Sequence, residues 1–428
     1  MVRRYVAFLL SFLMLLSCFV ACDKQPDEDE ALDEPQDAVQ KEPGVTITND
    51  YVIVFPQGYN VYIDRAVSIL QTDIKKETGV SLTIANDRSE AQEKEIVVGA
   101  CNRFDAAAVT TPICVQGEKV ILYAQKEEEI YCIARDFLKN CIALGALDEN
   151  GQLCLTDRVV AALVAKGSAY DHSVRVLTQN LRYANDAGGN SVAERSQRFV
   201  ALIEEYQPDI IGTQEATALW TQYLTEHLSD EYDMVGTYRD GVGTGGDEAN
   251  YILYRKDRFT LKESGTFWLT DTPDEISSVE DALCTRICTW ALLKDNLTGK
   301  EILACNTHLD HSTDTIRAQQ LEALFDYLAI DMKHTRVFLT GDFNMLRGSE
   351  PYRVVTDFGL KDGQKNAWVD SSEVDHTCHL YRGYGETIDF CFYSKEWTPL
   401  YARTISDDYG GYVSDHYGVI VDFVSFSN

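Results

Sequence analysis

Phe338-Leu339-Thr340-Gly341-Asp342-Phe343-Asn344 is an apolar run that ends in a small turn and two polar side chains one residue apart. Val337 to Leu339 read as a buried strand. On a strand or its extended continuation alternate residues share a face, so Asp342 and Asn344 are expected to point into one site. A carboxylate and a carboxamide side by side at a strand end can orient a water and hold an anionic group. The same Asp-x-Asn pattern also describes a turn that hydrogen-bonds its own backbone.

Companion stretches favour a site. Apolar runs ending in polar residues recur at Val174–Leu177 before Thr178-Gln179-Asn180, at Ile210-Ile211 before Gly212-Thr213-Gln214-Glu215, and at Ile302–Ala304 before Cys305-Asn306-Thr307-His308. Thr387-Ile388-Asp389-Phe390 and Ser414-Asp415-His416-Tyr417-Gly418 follow near the C-terminus. Each run would set Asn, Glu, His or Asp at the rim of a buried sheet. Together, Asn180, Glu215, His308, Asp342, Asn344, Asp389, Asp415 and His416 suit one metal ion and one phosphate.

The order of these five motifs, from about Ser173 to the C-terminus, resembles the endonuclease/exonuclease/phosphatase superfamily. Gly265-Thr266-Phe267-Trp268-Leu269-Thr270 and Arg286-Ile287-Cys288-Thr289-Trp290 are similar to its deadenylase-related bacterial branch. The resemblance implies an α/β four-layer sandwich: two mixed β-sheets packed face to face, helices outside, and a site where strand ends and loops meet at one edge. It implies magnesium, with manganese as the alternative, since these are hard cations that take oxygen ligands. Glu215 would be the main ligand with Asn180 beside it, and Asp415 would complete the metal or phosphate shell. Asp342 would orient or deprotonate the attacking water, and Asn344 would hold that water or the phosphate. Asp389 would fix His416 as a cation facing the phosphate, and His308 would donate to an oxygen where charge grows.

Other residues stay more open. Arg286 begins an apolar strand and either reaches a phosphate or pairs with a surface acid; Arg182, two residues after Asn180, is equally ambiguous. Glu248 lies in the glycine-rich loop 241–250 and is a candidate substrate contact. His379, His311 and Tyr183 are candidates to line the cleft, and Asp310 and Asp314 read as solvated charges.

A chain of 428 residues has room for two domains. Residues 1–22 have the form of a lipoprotein signal peptide: Arg3 and Arg4, an apolar run to Val20, and a lipobox-like Phe19-Val20-Ala21-Cys22 that makes Cys22 the expected lipidated residue, with Cys18 as a competing site. Residues 23–44 are dense in Asp and Glu and too polar to fold, so they read as a solvated tether. Residues 45–166 read as a smaller α/β domain, with a helix from Asn60 to Thr78 stopped by Gly79, strands at 51–55, 81–84, 95–98 and 120–123, and a helix from Glu128 to Leu144. That pattern resembles the accessory α/β domain preceding the catalytic barrel of bacterial hexosaminidases and alpha-glucuronidases; a packing or spacing role is expected, with carbohydrate contact as the alternative. Residues 173–428 are the expected catalytic domain.

Twelve cysteines lack a small-scaffold framework; most interrupt apolar runs and read as buried thiols. Formal net charge is −30. From Asp171 onward, 22 Lys and Arg stand against 42 Asp and Glu, so the tether is not the source of the charge. No Lys/Arg stripe marks a nucleic-acid path, which disfavours a nuclease. The chain is therefore expected to be a monomeric, exported cell-envelope lipoprotein, bound to a membrane through its N-terminal lipid. Its expected activity is metal-dependent hydrolysis of a phosphomonoester or phosphodiester, on a small or surface-exposed substrate. An extracellular nuclease is the alternative, and a non-catalytic surface binding protein the alternative of another class.

Overall fold

A computed structural model describes residues 44–58, 60–244, 246–328 and 336–426. The leader, the tether and Cys22 lie outside the described residues. Among the described residues no helix is long and apolar enough to cross a membrane.

The first part is a five-stranded sheet in the order Thr83–Asn86, Val52–Phe55, Glu95–Val98, Lys119–Leu122, Ile113–Gln116. Its first four strands are parallel and its last is antiparallel. The helix Val61–Thr78 starts where the sequence places it, because the Asn60 side chain accepts the N–H groups of Tyr62 and Ile63. It stops at Gly79, whose φ of 76° suits glycine. Ile63, Leu70 and Ile74 join Ile133 and Phe137 of the helix Glu127–Ala143 over Ile53, Ile96 and Val120 of the sheet. The strand expected at 81–84 runs two residues later, and a helix absent from the sequence reading, Asp157–Lys166, closes this part.

The second part contains two mixed sheets. One runs Tyr232–Val235, Ala249–Arg255, Ile210–Ala216, Val174–Asn180, Gly418–Val424, Thr398–Ile405, Val369–Asp370. The other runs Phe259–Trp268, Ile287–Asp295, Glu301–His308, Arg336–Asp342, Asp389–Tyr393, Lys361–Asp362. Val176, Ile210 and Val421 of the first meet Ala291, Ala304 and Phe338 of the second in one buried cluster. The outer face of the first carries the helices Val192–Tyr206 and Ala218–Leu228, and that of the second carries Asp314–Leu328 and Glu350–Phe358. This is the four-layer sandwich that the motifs implied. The last helix was missed in the sequence, although Pro351 in its first turn and Gly359 (φ 112°) at its end mark both limits.

The sheets approach closely just below the strand ends. A Cβ on Gly212 would sit 2.1 Å from Thr340 Oγ1, so only glycine fits there. Asn306, fully buried, ties the sheets together. It donates to the carbonyls of Thr213 (2.8 Å) and Tyr251 (2.9 Å) in the first sheet, and accepts from Gln214 Nε2 (2.7 Å) and Thr340 Oγ1 (3.1 Å). The two parts of the molecule touch through a smaller cluster of Tyr62, Tyr131, Cys132, Leu400 and Val424, where the Tyr62 hydroxyl donates to the Leu400 carbonyl at 2.7 Å. All ten described cysteines are free; Cys132, Cys141, Cys288, Cys305 and Cys391 are buried and the others half-buried.

Candidate active site

Register builds the site. In the second sheet His308 pairs with Asp342, and Asp342 with Asp389, so three strand ends bring three polar side chains level in one row. In the first sheet Asn180 pairs with Gln214, which sets Glu215 at the same edge. His416 stands just before the strand Gly418–Val424 of that sheet. The two edges close on Asp342, whose Oδ2 accepts from Asn180 Nδ2 at 2.9 Å and lies 3.6 Å from His308 Nε2 and 3.9 Å from His416 Nε2. Asn180 Nδ2 also donates to Glu215 Oε1 at 3.0 Å, and His416 Nδ1 is 2.9 Å from Asp389 Oδ2.

Asn344 reaches the site by another route than strand alternation. The strand stops at Asp342, and Asn344 turns left-handed (φ 47°). Its backbone N–H donates to Asp342 Oδ1 at 3.0 Å and its Nδ2 donates to the Leu309 carbonyl at 3.0 Å. The self-bonding turn and the site are therefore the same structure. Glu215 (φ 60°) and Arg182 (φ 61°) are left-handed as well. Such conformations cost on the order of 1–2 kcal/mol each. Hydrogen bonds fix both: Tyr183 N–H donates to Glu215 Oε2 (2.8 Å), and Arg182 N–H to Asn180 Oδ1 (2.8 Å).

The electrostatics divide the two histidines flanking Asp342. Burial disfavours charge on both. For His308 the nearby guanidinium groups of Arg286 and Arg239 add to that, and its pKa falls well below the usual histidine range. For His416 the carboxylates of Asp389 and Asp342 overcome burial and raise the pKa well above it. Asp342 itself is pushed up to about 7, by burial first and then by Asp389. One imidazole is thus held neutral, the other cationic, and a carboxyl that titrates near neutrality stands between them.

The remaining expected residues ring this centre at a distance. Asp415 is buried and lies 3.4 Å from Arg182 Nη1, and burial raises its pKa. Arg182 Nε also meets Asp186 at 3.2 Å, so this arginine is committed to carboxylates of its own chain. His379 is buried among Tyr412, Tyr417 and Tyr381; its Nδ1 accepts the Tyr381 N–H, and burial lowers its pKa to about 3. Glu248 pairs with Arg239 at 2.7 Å, and its pKa rises to about 7 through burial and the charge of Glu215. Arg286 is buried rather than paired with a surface acid.

Asp310 corrects the sequence reading. It is fully buried, accepts the N–H groups of Leu283, Cys284 and Ser312, and its pKa is lowered in spite of burial. Arg239 and Arg195 were missed. Arg195, wholly buried, donates to the carbonyls of Leu181, Arg182, Ala184 and Asn190 and so shapes the turn after Asn180. No local pattern marks either arginine, since the partners lie in neighbouring loops, 5 to 14 residues away for Arg195 and 9 for Arg239 with Glu248.

A divalent cation fits the donor set. Single ligand atoms of Glu215, His308 and Asp342 lie within 4.8 Å of one another, and those of Asp342, Asp389 and His416 form a second such group. The crowding of Asp342 against Asp389, with Glu215 close by, leaves negative charge that a cation would answer, and the oxygen-rich set suits a hard ion.

Comparison with known proteins shows the family. The family model described as "Endonuclease/Exonuclease/phosphatase family" matches residues 177–416, more than half the chain and the span holding every residue of the central cluster. Among solved structures, an endonuclease/exonuclease/phosphatase from Bacteroides vulgatus is 33% identical, with a TM-score of 0.56, and the match covers 59% of this chain and 99% of that one. A mannosyl-6-phosphatase of Bacteroides thetaiotaomicron is 29% identical over the same shares, with a TM-score of 0.55. A conserved protein of unknown function from Enterococcus faecalis, 22% identical with a TM-score of 0.54 over 59% of this chain and 100% of its own, shares the fold. No curated protein matches the chain. The chain belongs to the endonuclease/exonuclease/phosphatase family.

Proposed function

We propose that the protein hydrolyses a phosphoester on a small or surface-exposed substrate by attack of an activated water. The observation that supports this most is the meeting of Asn180, His308 and His416 on one carboxylate, Asp342, from both sheets at once. A pKa of about 7 suits Asp342 to take the proton of an attacking water near neutral pH. His416, kept cationic by Asp389, faces the non-bridging oxygens as charge builds on them. Neutral His308 hydrogen-bonds there without bringing a second proton. Asn344, through its backbone N–H, orients Asp342 rather than gripping the phosphate with its Nδ2.

Glu215, with Asn180 beside it, would hold a divalent cation such as magnesium, and Asp415 would complete that shell through the charge it places near Glu215. When bound, the ion supplies Lewis-acid polarisation of the phosphoryl group. The net charge of −30 argues against a polyanionic nucleic acid as the main substrate. The mannosyl-6-phosphatase among the similar structures supports a phosphorylated sugar as a first substrate to try.

The test is hydrolysis of a panel of phosphomonoesters, phosphodiesters and DNA, with magnesium and with a chelator. Turnover that ignores the chelator, or is confined to DNA, would reject this reading. The anchoring at Cys22 remains a proposal of its own. Cys22→Ala should move the protein from the detergent phase to the aqueous phase, and unchanged partitioning would point to Cys18 or an uncleaved leader.

A further inference from the structure

Arg286 is a buried cation with no carboxylate in direct contact among the described residues. It is 4% exposed, and its Nε has no partner. Its one hydrogen-bond contact is Nη2 to His311 Nδ1 at a marginal 3.5 Å. Burying a charge in this way is costly unless something outside the chain completes it.

A second guanidinium is held beside it. Trp268 Nε1 donates to the Arg239 carbonyl at 2.8 Å, and the next residue, Leu269, donates its N–H to the Arg286 carbonyl at 3.0 Å. Two consecutive residues thus pin both arginines to the end of one strand. The Arg239 loop is built for this position: the Asp247 carboxylate collects the N–H groups of Asp240, Val242 and Gly243. Glu248 pairs with Arg239 at 2.7 Å and Asp240 lies 3.7 Å from its Nε, so the carboxylates here are in contact with Arg239 and not with Arg286. Arg286 directly precedes the strand Ile287–Asp295, whose Cys288 pairs with Thr307, so it stands at the same sheet edge as His308 and one strand further from Asp342.

We propose that Arg286, with Arg239 beside it, receives the second negative charge of a phosphomonoester, making the enzyme a monoesterase that discriminates against diesters. This rests on the phosphoesterase reading and names its substrate class. A monoester above its second pKa of about 6 carries nearly two charges, whereas a diester carries one. An unpaired, desolvated guanidinium therefore gains more from the monoester, and its planar fork can meet two of its oxygens.

The experiment uses the full chain with magnesium, an aryl phosphomonoester, the matching methyl aryl diester, and inorganic phosphate as a probe that needs no turnover. For the wild type, kcat/KM should favour the monoester. In Arg286→Gln that preference should fall by about 10- to 100-fold, as expected for a lost charge-assisted hydrogen bond, and Arg286→Lys should keep part of it. Phosphate should raise the melting temperature of the wild type and leave Arg286→Gln unmoved. If Arg286→Gln does not fold by circular dichroism, Arg239→Gln on the loop should shift the same two readouts in the same direction. Equal losses on both esters, or equal phosphate protection of variant and wild type, would overturn the proposal. Phosphate binding that depends on Arg286 in a protein hydrolysing neither ester would keep the anion site and reject the phosphoesterase reading.

Discussion

Glu95 and Asp342 are both buried carboxylates at sheet positions, one in each part of the molecule, and they are treated in opposite ways. Glu95 is met by Arg103 at 3.1 Å, by Lys119 and by the Gln92 N–H. Burial works against its charge, but the Gln92 N–H and these two cations hold its pKa below the usual glutamate range. Asp342 has Asp389 in register beside it, and burial first and then that neighbouring charge push its pKa up to about 7. The first sheet satisfies its buried charge; the second leaves charge unresolved where chemistry is expected. The difference distinguishes the two sheets on physical grounds, without reference to any motif.

The largest effect expected from breaking this contrast is on turnover. His416→Ala should lower it by roughly 10²–10⁴, the range for one acid/base or electrostatic group. Extra magnesium should not restore it, because the defect is missing charge. Glu215→Gln should instead raise the magnesium needed for half-maximal rate by about tenfold or more, and excess metal should recover part of the rate. A magnesium titration of both variants separates the roles; equal rescue of the two would show that the site has been assigned to the wrong side chains.

A smaller effect, on stability, follows from the opposite pKa directions. Asp342 binds its proton more tightly in the folded state than its ordinary value of 3.8 allows, so in chelator the fold loses stability as pH rises from about 4 through about 7. Asp342→Asn should be more stable than wild type at pH 8 and similar at pH 4, while being inactive. Glu95 has the reverse sign: its contribution is present above the ordinary 4.5 and disappears as pH falls below it. Glu95→Ala, which strands Arg103 and Lys119, should cost about 3 kcal/mol at pH 7 and leave turnover per folded molecule unchanged. Denaturant melts across pH test both; parallel pH profiles for the two variants would remove the distinction drawn between the two parts.

What could be read in the sequence was local. Runs such as Val174–Leu177 and Ile302–Ala304 are strands because three apolar residues in each call for burial, and the polar residues that follow, Asn180 and His308, then fall at a sheet edge. Asn60 and Gly79 delimit a helix by cap chemistry alone. What could not be read was set by pairing between distant segments. Nothing in Thr387–Phe390 says that Asp389 stands level with Asp342, and that register creates the like-charge pair. Nor does anything in Asn306-Thr307-His308 say that Asn306 binds both sheets. Asp310 looked solvated because its partners, Leu283 and Cys284, are some 27 residues earlier. Asn344 lies beside Asp342 by another route than the alternation expected, since alternation ends at the strand and a left-handed turn takes over.

The smallest expected effect probes whether the two parts are coupled. The Tyr62 hydroxyl, in the first part, donates to the Leu400 carbonyl in the second, inside a buried cluster that also holds Tyr131 and Val424. Leu400 belongs to the strand Thr398–Ile405, which pairs with Gly418–Val424, and His416 stands just ahead of that strand. The helix Val61–Thr78 of the first part therefore touches a strand whose neighbour begins just after the cationic histidine. Tyr62→Phe keeps the ring and leaves one buried carbonyl without its donor, a loss of about 1–2 kcal/mol. If the first part serves packing and spacing, melting should shift by that amount while kcat and the magnesium requirement stay at wild-type values. A severalfold fall in kcat at unchanged folded fraction would show instead that the accessory sheet helps to set the position of His416, and the line between a packing part and a functional part would have to be redrawn to include Tyr62.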